Sequence, residues 1–97
     1  MSQISVKFDT DQEEINKKLF LFASNITIKE MLNDFLKQTN SKIELHSDNI
    51  QFIYKGKLLN IAPFLDKKVG DIFRLSNHKV KVMDSKNIIG GEKLFHN

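Results

Sequence analysis

The residues of this chain whose types could support chemistry are three histidines, a run of carboxylates and a few isolated polar motifs. His46, His78 and His96 lie in separate parts of the chain, whereas a local zinc motif draws ligands from a few neighbouring positions. No Cys is present to complete such a site or to serve as a thiolate nucleophile. Asp9, Asp11 and Glu13 alternate like the first ligands of a calcium loop. That loop needs Gly at its sixth position and Glu at its twelfth; here Glu14 and Phe20 stand there. Neither Gly-x-Ser-x-Gly nor a Gly-x-x-x-x-Gly-Lys phosphate loop occurs. Asn25-Ile26-Thr27 is a glycosylation sequon, which matters only in a secreted chain. The residues support no enzyme, no cofactor, no metal and no small-molecule substrate.

Composition narrows the partners. The 97 residues suit one ordinary domain, and the 40% hydrophobic, 28% charged balance belongs to a packed chain rather than a disordered one. Eight Phe supply the bulk of the expected core. The longest apolar runs, Leu19–Ala23 and Phe52–Tyr54, fall far short of the ~20 residues of a membrane helix, so membrane insertion is not expected. Met1–Thr10 has no basic start followed by an apolar stretch, as a signal peptide would. The expected location is therefore cytoplasmic or nuclear, with an organelle left open. The net charge is +3, but the lysines are interleaved with Asp and Glu rather than clustered. Nucleic acid is thus not the expected partner; other proteins are.

The elements that would position any site follow from periodicity. Ile4–Phe8 alternates apolar and polar, the period of a half-buried strand. Asp9–Glu14 is a polar connection, and Leu19–Ala23 a second strand paired with the first as a hairpin. Thr27-Ile28-Lys29-Glu30 is a capping box. Behind it Ile28, Met31, Leu32, Phe35 and Leu36 fall on one helical face, predicting a helix from Ile28 to Lys37 or Gln38. Thr39–Asn49 reads as a loop, Ile50–Tyr54 as a strand, and Lys55-Gly56-Lys57 as a tight turn. Leu58-Leu59 makes a short return strand, Val69–Phe73 a turn or single helical turn, and Lys79–Met83 the last strand. Residues 1–84 form the domain in this reading and residues 85–97 a C-terminal tail.

That order of elements resembles the ubiquitin family. The segments that carry the likeness are Ile4–Phe8, Thr27–Met31, and Val80–Met83 followed by Gly90-Gly91. Phe52-Ile53-Tyr54-Lys55-Gly56-Lys57-Leu58-Leu59 is similar to the family's Leu-Ile-Phe-x-Gly-Lys-x-Leu segment. Val69-Gly70-Asp71-Ile72 is similar to its Leu-Ser-Asp-Tyr turn and stands at the family's distance from Val80. The resemblance implies an α+β, β-grasp (ubiquitin-like) roll, a mixed sheet of four to five strands packed on one main helix.

It also implies sites. The family's apolar recognition patch falls on Ile53, Lys81 and Met83, with Lys81 in place of a His and Met83 in place of a Val. The alternative is that Ile53 packs under the longer loop that this chain has before its third strand. Gly90 and Gly91 correspond to the diglycine through which the family is conjugated, though about two residues farther from the last strand; the lack of Cβ atoms suits a narrow enzyme channel. As plain residues they are a turn-forming Gly pair. Asn87-Ile88-Ile89 precedes them instead of the family's basic stretch, and Glu92–Asn97 follows. Lys57 stands where the family carries a chain-linking lysine, and otherwise reads as a solvated turn residue. Two functions follow: a ubiquitin-like protein–protein interaction module, as a non-catalytic accessory subunit of a larger assembly, or a modifier processed after Gly91 and conjugated to targets.

Overall fold

The computed structural model describes residues 2–41, 44–45, 48–74 and 78–84. The chain is α+β, with β1 (Gln3–Asp9), a short helix α1 (Glu13–Asn16), β2 (Phe20–Ala23) and the main helix α2 (Ile28–Gln38). Then come β3 (Ile50–Tyr54), β4 (Lys57–Leu58), a 3-10 turn at Phe64–Asp66, α3 (Val69–Ile72) and β5 (Lys79–Asp84). The strands form one open five-stranded sheet in the order β2-β1-β5-β3-β4. Only the β1–β5 pair is parallel, with Phe8 beside Val80; the other pairs are antiparallel.

Helix α2 forms where the capping box predicts. Glu30 N–H donates to Thr27 Oγ1 at 3.1 Å, and Thr27 N–H donates to Glu30 Oε1 at 2.9 Å. Two otherwise orphaned amides are thereby satisfied. The other end closes on Asn40 at φ 58°, where Ser41 N–H reaches Leu36 O and Asn40 N–H reaches Lys37 O. This is the left-handed cap that Asn tolerates better than most residues. Between the caps, Ile28, Met31, Leu32, Phe35 and Leu36 are all buried against the sheet. Phe35 stacks on Phe8 with ring centroids 4.0 Å apart and meets Phe20 and Phe52 edge-on at 5.3 and 5.7 Å.

Three segments differ from the sequence expectation. The polar connection after β1 contains α1, whose Ile15 is buried. Its Asn16 side chain accepts from Thr10 N–H at 2.7 Å and donates to Thr10 O at 2.8 Å, holding the Asp9–Asp11 corner. Leu19 lies outside β2 and is exposed. The return strand is Lys57–Leu58, and Leu59 turns inward, fully buried, donating its N–H to Phe52 O.

The residue that anchors the return from β4 is Asn60, the one buried polar side chain among the described residues. Its Oδ1 accepts from Phe52 N–H, and its Nδ2 donates to Leu45 O and Ile50 O. One amide thus satisfies three backbone groups, two on β3 and one in the segment before it. Farther on, Gly70 N–H donates to Ser24 O, and a Cβ at Gly70 would meet that oxygen at 3.1 Å. The absence of a side chain there lets α3 sit against the end of β2.

Candidate functional site

Each strand of the sheet alternates between a face packed on α2 and a face turned away from it. On β3 the buried residues are Ile50, Phe52 and Tyr54, leaving Gln51 and Ile53 on the outer face. On β5 Val80 and Val82 are buried, leaving Lys79, Lys81 and Met83 outside. Register then brings the predicted patch together: Ile53 is the direct partner of Lys81, and Gln51 the partner of Met83. Leu58 of β4 stands opposite Ile53 on the other side. Ile53, Leu58 and Met83 are therefore cross-strand neighbours, near enough for side chains of this size to touch.

Ile53 is less exposed than Lys81 and Met83 beside it on β5. It is half-buried, and it belongs neither to the core nor to the partly buried apolar residues packed on the core. Met83 is 45% exposed and Lys81 is exposed. The result is a small apolar strip bordered by Gln51, Lys79 and Lys81. Sequence reasoning missed Leu58 because its face depends on the turn. Tyr54 pairs with Lys57, so the loop is only Lys55-Gly56 and Leu58 falls opposite Ile53. Leu21, 56% exposed, also stands on the outer face, opposite Ser5 at the far edge of the sheet.

The remaining candidates are placed as follows. Lys57 is exposed on β4, with Nζ 5.9 Å from the ring centre of Phe64. Gly90 and Gly91 lie outside the described residues, as do His46 and His96. His78 serves the fold: its Nδ1 donates to Ser5 O at 2.9 Å, and its ring meets Phe73 edge-on. Asp9 and Asp11 flank the Thr10–Asn16 clamp, and Glu13 reaches Lys17 only at 4.0 Å. Among the described residues no group of His, Asp and Glu is placed to hold a metal ion. None of their helices is long and apolar enough to cross a membrane. Compared with known proteins, the chain matches no protein-family model, no curated protein and no solved structure.

Proposed function

We propose that this chain is a ubiquitin-like β-grasp domain that works by binding other proteins, as a non-catalytic accessory subunit of a larger assembly. The strand order, the parallel β1–β5 pair and the single long helix lying across the sheet support the fold reading. The family-like segments also fall in the matching elements: Thr27–Met31 opens α2, and Phe52–Leu59 spans the β3–β4 hairpin. The observation that carries the function is the outer strip, where Ile53, Leu58 and Met83 lie unpacked by the core beside Lys81. An apolar centre with a polar rim is the composition of a protein-binding surface.

The test is a native pull-down of the full chain from its own cells, resolved by denaturing electrophoresis, with Ile53→Ala and Met83→Ala run in parallel. A co-purifying protein that disappears in both variants supports the module. A ladder of covalent adducts ending at Gly91 would replace it with the modifier. Partners retained unchanged by both variants would remove the outer strip from the function.

A further inference from the structure

A second surface lies at the β3–β4 turn, on the side of β3 opposite the Ile53 side chain. Tyr54, Lys55, Lys57, Asp71, Ile72 and Arg74 line an open groove of about 520 Å3. Three cations and one carboxylate meet in it, and among the described residues none of the three cations has an ion-pair partner. Two of the cations are held in place by rings. Lys55 Nζ lies 5.4 Å from the ring centre of Tyr54, and Lys57 Nζ lies 5.9 Å from that of Phe64. Such contacts restrain an ammonium group without neutralising it. Half-buried Ile72 supplies an apolar side chain to the same lining.

Lys55 adds an independent observation. With Gly56 at φ 80°, it forms the two-residue hairpin turn, and its own φ is 51°. That position favours Asn, Asp or Gly, and a lysine is held there against local backbone preference. A cation kept in a disfavoured backbone conformation at the lip of a positively charged groove points to use of its charge.

We propose that this groove docks an acidic segment of a partner protein, with carboxylates on either side of one apolar side chain. The carboxylates pair with Lys55, Lys57 and Arg74, the last able to hold one in a two-pronged contact. The apolar side chain rests on Ile72. Asp71 repels a carboxylate placed next to it and so helps to set the register of the segment. A nucleic acid is the competing polyanion, but single-stranded chains bind by stacking bases on exposed rings. Tyr54 and Phe73 are 4% and 3% exposed and offer none. This surface does not depend on the outer strip.

The test uses the full chain and the labelled peptide Glu-Glu-Leu-Glu-Glu, with Gln-Gln-Leu-Gln-Gln and an oligo-dT as comparisons. Amide shifts on titration should concentrate at residues 54–57 and 71–74, and binding should weaken between about 0.05 M and about 0.5 M salt. Lys57→Gln and Arg74→Gln should each lower affinity roughly two- to fivefold, the range of a partly exposed ion pair. Lys55→Asn should lower it similarly while leaving the melting temperature unchanged or higher, which separates charge from folding. Ile53→Ala should leave peptide affinity unchanged. Shifts centred on Lys7, Lys79 and Lys81, equal binding of the Gln peptide, or tighter binding of oligo-dT would each overturn the proposal. So would unchanged affinity in all three groove variants.

Discussion

Ile53 on β3 and Lys81 on β5 face each other as direct partners, on the side of the sheet that α2 does not cover. The pair joins an apolar side chain to a cation at the centre of the exposed strip. Met83 lies one diagonal step from Ile53 and Leu58 directly across from it. The same alternation that sends Phe52 into the core sends Ile53 out, so core packing does not account for an apolar side chain there.

Replacing Ile53 with Ala should therefore leave the fold nearly intact. The expected loss is about 1 kcal/mol, the scale of cross-strand packing on a half-exposed sheet face. Capture of a partner by the outer face should fall sharply in the same variant. A denaturant melt alongside the pull-down checks both; a loss of several kcal/mol would identify Ile53 as structural.

Phe35→Ala should behave oppositely. Phe35 is fully buried, stacked on Phe8 and edge-on to Phe20 and Phe52. Truncation removes the ring that these three share and leaves a cavity, for an expected loss of about 3–5 kcal/mol. The midpoint of a urea melt should fall with little change in slope.

The capping box was legible because every group in it lies within one turn, so Thr27 and Glu30 announce the start of α2 unaided. Strand β3 was legible at both ends because Ile50–Tyr54 alternates cleanly and a Gly-containing turn follows. α1 was not, since four residues with one buried Ile carry no helical period. Nor could the strand order be read from periodicity, which gives each strand's faces but not its neighbours. The outer strip depends on that order: Ile53 meets Lys81 only because β5 lies between β1 and β3. The role of Asn60 escaped for a related reason. Its partners Ile50 and Leu45 lie 10 and 15 residues away, beyond any local pattern.

Asn60→Ala should be costly for so small a change. Phe52 N–H, Leu45 O and Ile50 O would lose a buried partner together. An unsatisfied buried group costs about 1–3 kcal/mol, and partial rearrangement or water entry offsets some of it. The expected loss is roughly 2–4 kcal/mol on that basis, and hydrogen exchange at the Phe52 amide should rise with it. Unchanged protection at Phe52 would mean that the amide finds another acceptor.

The last prediction concerns acid. Hydrogen bonds from the Thr27 backbone N–H, and next from its hydroxyl, hold the Glu30 carboxyl below its ordinary value of 4.5, and the charge of Lys68 adds to this. The folded state therefore binds the Glu30 proton less readily than the unfolded chain does. A depressed carboxyl stabilises the fold fully above the unfolded value, and the contribution disappears as pH falls through the lower, folded one. Gln at this position can still bond the Thr27 amide but cannot titrate. The stability difference between the natural chain and Glu30→Gln should thus be flat above about pH 5.5 and shrink steadily below 4.5. Thr27→Ala removes the cap itself and should cost about 0.5–2 kcal/mol at neutral pH. In that background Glu30→Gln should change the pH profile less, because the carboxyl has lost the Thr27 hydroxyl but keeps the backbone N–H of residue 27 and the charge of Lys68. Urea melts of the four proteins from pH 3 to 7 measure this coupling directly. A stability difference that grows on acidification would reverse the sign and show that Glu30 is protonated more readily in the folded state.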